Sequence, residues 1–351
     1  MAHAIAASEA DLALHDSTPA LELLRSYGVS ENLIDSMGRF VGLAILNLPL
    51  EECSGTAFLR FLRFMAGRKD YRVGFSKVGL GALFAVPGTH EVVKVGGTVR
   101  LNCAVRELQI DGDRVESAWL GDGTRVRARH WVLATSPREI PGLIPPGRGL
   151  DGLRSHSLKF EPCPYLCIYL WFDRKLSDRA FWARAFRAED FNCDFYDLSR
   201  FREGWEERPS VIASNIIYSE RAGSLSDSEI VAKTREELAE FLPETKEAKL
   251  VHSVVNRVPM AIHCPRPGTE NLRPPTRTAV KGLYLAGDWI KTGFPSSMES
   301  ACRAGFLAAD AILEDGGTSR TGPPFAEGLS ELGTFTKLNA SLWNGIFKRL
   351  K

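Results

Sequence analysis

One short stretch of this chain constrains its fold more than any other. Leu283 to Ala286 form an apolar run between glycines, which predicts a short strand that is buried on both faces. Gly287 lets backbone or ligand come close, and Asp288 then stands at the carboxyl end of the strand. Open α/β sheets bind ligands at that end, so Asp288 is a candidate binding residue. The alternative is a strand-end Asp that caps the next turn.

The residues that follow predict a helix that starts close to this acid. Ser296 and Glu299 have the spacing of a capping box, Pro295 precedes them, and the helix is expected to stop at Gly316-Gly317. The free N–H groups of the first turn carry partial positive charge and stabilise an anion. An acid, a glycine turn and a helix start in this order suit a flavin. The acid can accept hydrogen bonds from ribityl hydroxyls, and the helix start can face the pyrimidine carbonyl.

Gly282 to Ala309 resembles the C-terminal FAD-binding signature of the flavin amine oxidase and phytoene desaturase superfamily. The matching residues are Leu285 to Asp288, Thr292-Gly293, Pro295, Met298-Glu299, Arg303 and Gly305. Upstream, Leu46 to Ser54 and Val258 to Pro274 resemble segments of bacterial hydroxysqualene dehydroxylases, also called squalene-associated FAD-dependent desaturases. The resemblance runs from about Asp16 to Glu314.

This resemblance implies an FAD-dependent oxidoreductase in which flavin N5 exchanges a hydride with an allylic carbon of an isoprenoid, such as hydroxysqualene or a carotenoid precursor. It assigns a set of cofactor-binding residues by position, and no catalytic acid or base. The set is Val105, Ala134, Thr135, Gly287, Asp288, Trp289, Pro295, Ser296, Ser297, Met298 and Glu299. An amine oxidase is an alternative. Such an enzyme needs an aromatic cage near the flavin, and Trp289 is the one aromatic residue that the sequence offers for it. A non-catalytic partner subunit is another alternative.

The predicted fold class is α/β with mixed α+β parts: an incomplete FAD-binding Rossmann-like domain interleaved with a substrate domain of mixed sheet plus helices. Within the FAD domain we expect a β-meander, with strands at 96–102, 105–110, 115–120 and 126–134. The predicted segments are a disordered N-terminus (1–15), substrate domain (16–90 and 150–277), FAD domain (91–149 and 278–315), linker (316–336) and amphipathic helix (337–351). Tyr165, Tyr169, Trp171 and Phe172 either line a lipid pocket or, as favoured for most of them, lie in the core.

The sequence contains no glycine-rich phosphate loop. Members of the superfamily begin with a strand, a GxGxxG loop, a helix and a strand that ends in a ribose-binding acid. Gly79 to Ala82 lacks the third glycine, and neither a long helix nor that acid is expected behind it. Three explanations stay open: a fragment, one subunit whose partner chain supplies the GxGxxG unit, or a remnant that has lost FAD binding. We expect Leu283 to Ala286 to lack a neighbouring strand, and the chain alone to bind FAD weakly or not at all.

Composition limits the other classes of function. With 44% hydrophobic and 25% charged residues the chain is globular, and its net charge of +1 argues against a nucleic-acid partner. Seven cysteines without a CxxC pair and seven histidines without HExxH spacing predict no zinc site. No signal peptide or membrane-spanning run is recognisable, so we expect a cytoplasmic protein. The lipid substrate is implied by the resemblance alone. Residues 337–351 either contact the membrane surface or pack against protein.

Overall fold

The computed structural model describes residues 2–66, 74–183, 187 and 190–318. The predicted amphipathic helix, and the linker from residue 319 onward, lie outside the described residues. The helices are α1 (Ala2–Ala6), α2 (Glu9–Ala13), α3 (Ala20–Ser26), α4 (Glu31–Leu33), α5 (Arg39–Leu46), α6 (Gly55–Ala66), α7 (Val86–Lys94), α8 (Ile140–Leu143), α9 (Asp151–Ser157), α10 (Asp227–Phe241) and α11 (Met298–Asp315). The strands are β1 (Val105–Asp111), β2 (Arg114–Leu120), β3 (Arg125–Val126), β4 (Trp131–Leu133), β5 (Pro162–Phe172), β6 (Phe181–Ala183), β7 (Asp194–Asp197), β8 (Val211–Ile216), β9 (Leu250–His263) and β10 (Leu283–Leu285). None of the described helices is long and apolar enough to cross a membrane.

The described strands form three sheets, and their order along the chain shows an interleaved architecture. β1, β2 and β3 make an antiparallel meander, and β4 pairs in parallel with β10. Between β4 and β10 the chain builds a separate antiparallel sheet in the order β6-β7-β8-β5-β9. The chain therefore leaves the parallel pair, completes another sheet and returns, which confirms the predicted mixture of helices and sheets.

Separate apolar clusters support these parts. One cluster joins the meander, β4, β10 and α11, and a second lies between the five-stranded sheet and α10. α10 starts with a capping box formed by Ser226 and Glu229, a pattern that is local in the sequence. A third cluster joins α3, α5 and α6 to Cys163 and Cys264 at the end of the β5–β9 pair.

The expectation of disorder before residue 16 is wrong. Residues 2–13 form α1 and α2, and Ser8 caps α2 in a capping box with Asp11. Leu12 is fully buried in a cluster with Leu23 and Leu59. A local cap and one buried anchor thus order a segment whose composition alone looked unstructured.

Two of the predicted meander strands differ from the structure. The segment 96–102 is irregular, because Gly96 and Asn102 have positive φ and the Gly97 N–H folds back onto the Val92 carbonyl at 2.9 Å. The predicted strand 126–134 is divided. Its first residue closes the meander in β3, whereas β4 starts five residues later and belongs to the parallel pair.

The exposed sheet edge lies on a different strand from the predicted one. β10 has neighbours on both sides, since β4 pairs with one side and the Leu285 N–H donates to the Thr276 carbonyl at 2.8 Å on the other. β4 has β10 on one side and no second strand among the described residues. The side chain of Val132, in the middle of β4, is 44% exposed.

The segment from Gly81 to Lys94 is helical, which corrects the expectation that no long helix follows Gly79. A π-helical turn (Gly81–Ala85) continues into α7, and Pro87 is tolerated in the first turn of α7. Every residue of this helical segment is exposed, including Leu83, Phe84, Val92 and Val93. The helix therefore presents apolar side chains that no described residue covers.

Candidate functional site

The loop after β10 is built around a glycine that cannot be replaced without strain. Gly287 has a φ of +117°, and a Cβ added there would lie 3.1 Å from the Trp289 ring. Trp289 is 1% exposed, and its Nε1 donates to the Thr135 carbonyl at 3.1 Å. This hydrogen bond ties the loop after β4 to the loop after β10, so the carboxyl ends of the two parallel strands are held together.

Asp288 is partly buried and is fixed from two directions. Its carboxylate accepts a hydrogen bond from the Ser296 hydroxyl. Its carbonyl oxygen accepts one from Arg273 Nη2 at 2.7 Å and one from Ser300 Oγ at 3.2 Å. The carboxylate is therefore oriented before any ligand binds, and it still has acceptor capacity for ligand hydroxyls.

The start of α11 is one residue later than the capping-box spacing predicts. Ser297, not Ser296, is the N-cap, and its side chain accepts from the Ser300 N–H at 3.2 Å. Glu299 does not close a capping box but pairs with Arg303 Nε at 2.8 Å. The Ser296 hydroxyl contacts Asp288 and His263 instead, and the next serine caps the helix.

A buried ion cluster holds this loop against the helical part of the chain. Glu270 accepts from Arg60 Nη1 at 2.6 Å and lies 3.5 Å from Arg273 Nη1, and the side chains of all three are at most 5% exposed. Arg273 also donates to the Phe294 carbonyl. The sequence marks Arg273 only as part of the segment that carries the resemblance. It does not mark the pair of Glu270 and Arg60, because the two residues are 210 positions apart in the sequence.

His263 is a second residue that sequence reasoning missed. It is the last residue of β9, and its Nδ1 lies 3.5 Å from Ser296 Oγ. Burial, reinforced by the charge of Arg273, lowers the pKa of His263 well below its ordinary value. The imidazole is therefore neutral at pH 7.

The structure brings most of the predicted site residues together. Thr135, Gly287, Asp288, Trp289, Pro295, Ser296 and Ser297 surround the two strand ends and the start of α11. Ala134, Met298 and Glu299 are exposed beside them. Val105 is 41% exposed at the start of β1, in the meander, and does not join this group. Their assignment to a cofactor stays a prediction.

These groups have the chemistry to hold a flavin with its ribityl chain. Asp288 offers carboxylate oxygens, and Thr135 has a buried hydroxyl without a partner among the described residues. The first turn of α11 adds free N–H groups and a partial positive charge. Acceptor, hydroxyl and positive helix end together fit a polyhydroxylated chain and an electron-rich ring, so the residues present fit the group that the sequence resemblance implies.

The five-stranded sheet presents a row of aromatic side chains on one face of β5. Tyr165, Tyr169 and Trp171 are only half-buried there, whereas Phe172 is buried on the opposite face. The favoured interpretation as core therefore fits Phe172, and Tyr165 packs against the cluster of α3, α5 and α6 with its hydroxyl bonded to Asn47. Tyr169 and Trp171 belong to none of the described clusters. Strand alternation explains the difference, because odd-numbered residues of β5 face away from the cluster that packs on α10.

Comparisons with known proteins agree with this geometry. The family model for flavin containing amine oxidoreductases matches residues 2–313. The chain is 28% identical over 309 residues to a 15-cis-phytoene desaturase of an Oncidium hybrid cultivar, covering 86% of this chain and 53% of that protein. It is 24% identical over 312 residues to a 15-cis-phytoene desaturase of Synechococcus elongatus, covering 83% and 64% respectively. The chain thus spans about half the length of the plant relatives it matches.

Solved structures show the same fold at lower identity. Putrescine oxidase bound to putrescine aligns with a TM-score of 0.64 at 15% identity, over 86% of this chain and 69% of that chain. Cyclohexylamine oxidase from Brevibacterium oxydans aligns with a TM-score of 0.63 at 15% identity, over 89% and 70% respectively.

Proposed function

Because the chain belongs to the family of flavin containing amine oxidoreductases, we propose that it forms the flavin-reacting part of an FAD-dependent oxidoreductase that acts on an isoprenoid. The observation that carries the proposal is the preset Asp288 carboxylate at the carboxyl end of a parallel strand, beside the start of α11. When bound there, FAD supplies hydride exchange at N5 with an allylic carbon of the substrate.

The residues of the chain have separate tasks in this proposal. Asp288 accepts hydrogen bonds from ribityl hydroxyls, and Ser296 keeps its carboxylate turned toward them. Thr135 adds a hydroxyl from the neighbouring strand end. The start of α11 stabilises negative charge on the pyrimidine side. Trp289 anchors the loop through its hydrogen bond to Thr135. At 1% exposure it is not placed to form an aromatic cage for an amine.

An isoprenoid substrate is supported by the half-buried aromatic row on β5. Tyr169 and Trp171 give that sheet face an aromatic surface on which a polyene or a squalene-like chain can lie, whereas Tyr165 packs against the cluster of α3, α5 and α6. The relatives named 15-cis-phytoene desaturase support the same class. Within this class, hydroxysqualene and carotenoid precursors are the two candidates. Because such substrates are held in membranes, we propose a cytoplasmic protein that works beside a membrane.

We further propose that the cofactor site is completed by a β–α–β unit that carries a glycine-rich phosphate loop. The free edge of β4 can pair with a parallel strand, and exposed Val132 and the apolar side chains of the helical segment 81–94 offer surface for packing. The unit comes either from a separate polypeptide or from a segment outside these 351 residues.

Visible absorbance of the purified chain, with and without added FAD, tests both proposals. We expect little or no bound flavin in the 351-residue chain, and stoichiometric flavin once a β–α–β unit with a GxGxxG loop is supplied. Stoichiometric flavin in the chain alone would contradict the need for the unit. Absence of flavin in the completed protein would contradict the FAD site.

Turnover by the completed protein then tests the substrate class. We expect loss of hydroxysqualene or of phytoene, and no oxidation of simple amines. Oxidation of amines without turnover of either isoprenoid would overturn the proposed class and favour the amine oxidase alternative.

A further inference from the structure

The end of β9 places a fully buried imidazole behind the Asp288 loop. His263 is 1% exposed, and Phe160 packs edge-on against its ring with the ring centroids 5.1 Å apart. The same Phe160 packs against Trp289 at 5.6 Å. His263 therefore packs, through Phe160, against the loop that carries Asp288, although it is 25 positions before Asp288 in the sequence.

The direction of the hydrogen bonds in this wall follows from the number of protons available. The single hydroxyl proton of Ser296 is donated to the Asp288 carboxylate, which has no proton to give in return. In the contact with His263 Nδ1, which at 3.5 Å is longer than an ordinary N–H···O bond, Ser296 Oγ can then only accept. A neutral imidazole has one N–H, so the proton lies on Nδ1 and Nε2 carries none. Nε2 is the ring nitrogen without a partner among the described residues.

We infer that His263 is a positioning residue, which holds the Ser296 hydroxyl through Nδ1–H so that Ser296 orients the Asp288 carboxylate toward the cofactor. The inference rests on the proposed function only for the last step, the cofactor itself. The order His263, Ser296, Asp288 is a property of the chain without ligand.

Two substitutions separate this role from simple packing. His263→Phe keeps an aromatic ring against Phe160 but removes the donor, whereas His263→Asn keeps an N–H near the position of Nδ1 but leaves space beside Phe160. If His263 positions Ser296, Asn preserves the arrangement and Phe does not. If His263 only fills space, the outcome is reversed. His252→Phe, on the same strand with an exposed side chain, is the matched control.

The first measurement uses the ¹⁵N- and ¹³C-labelled 351-residue chain without FAD. We expect the imidazole nitrogen shifts of His263 to report the Nδ1–H form, and those shifts to change in Ser296→Ala. We expect the Asp288 carboxyl shift to change in Ser296→Ala and His263→Phe, and to stay unchanged in His263→Asn and His252→Phe. The inference is overturned if the His263 shifts report the Nε2–H form, or if the Asp288 carboxyl shift is the same in His263→Phe as in the wild-type chain.

The second measurement is FAD affinity, by flavin fluorescence in the chain supplied with the β–α–β unit. We expect roughly tenfold weaker binding in His263→Phe and in Ser296→Ala, with no further loss in the double variant because both break one chain of contacts. Additive losses overturn the inference. If the wild-type protein binds no FAD at all, the proposed function fails, and the shifts of the ligand-free chain still decide the role of His263.

Discussion

Two regions of one family fold are completed to different degrees in this chain. Around Asp288 the carboxylate is hydrogen-bonded to Ser296, and Trp289 in the same loop is 1% exposed. Along β4 and the helical segment 81–94, Val132 is 44% exposed and Phe84 is 51% exposed. The loop of Asp288 is therefore fixed by contacts within the chain, whereas β4 and the segment 81–94 expose apolar side chains that the described residues do not cover. The family match covers both regions, so sequence similarity alone does not distinguish them.

Among the substitutions that test this difference between the two regions, we expect Glu270→Gln to lower the free energy of unfolding most. The substitution leaves the buried charge of Arg273 without a carboxylate, whereas Arg60 keeps its pair with Glu9. We expect the free energy of unfolding to fall by about 3 to 5 kcal/mol, as for other buried pairs that lose one partner. Urea unfolding, followed by far-UV circular dichroism, measures the change.

Glu31→Gln is the matched control for this prediction. Glu31 pairs with Arg25 on the surface, where both side chains are more than half exposed, and we expect no measurable loss of stability. Equal losses in the two variants would show that the cluster around Arg273 does not fix the loop of Asp288.

A smaller effect is expected at the start of α11, where two adjacent serines have different tasks. Ser297→Ala removes the N-cap, and we expect it to lower the free energy of unfolding by about 1 kcal/mol and to accelerate hydrogen exchange at the Ser300 amide. Ser296→Ala should leave exchange at that amide unchanged, because Ser296 bonds to Asp288 instead. Faster exchange of the Ser300 amide in Ser296→Ala than in Ser297→Ala would show that Ser296 is the N-cap, as the sequence predicts.

The pattern of success and error has a physical cause. The strand before Gly287, the helix after it and the capping box of α10 could be predicted, because each depends on residues that are close in sequence. The contacts of Glu270 and His263 could not, since they depend on how distant elements pack. The cap of α11 was predicted one residue too early for a related reason: the contacts of Ser296 include His263, which is distant in sequence.

The open edge shows a further limit of local pattern. The prediction that the strand with the motif lacks a neighbour is wrong, because β4 and Thr276 cover the two sides of β10. Among the described residues, the strand with one unpaired side is β4. Protecting the strand that carries the binding loop is consistent with the preset geometry of Asp288.

The smallest effect is expected where the contrast between the regions is most direct, at two phenylalanines. Phe84→Ala, in the exposed helical segment, should change the free energy of unfolding of the chain by less than about 0.5 kcal/mol, since most of the side chain already contacts water. The same substitution at the fully buried Phe195 should cost about 3 to 5 kcal/mol, which makes it the matched control. Urea midpoints measure both. A loss in Phe84→Ala that approaches the loss in Phe195→Ala would mean that the segment 81–94 packs within the chain, and the surface proposed for the β–α–β unit would then be occupied. A near-zero effect in the isolated chain, together with a measurable loss once the unit is added, would locate the contact of the unit at Phe84.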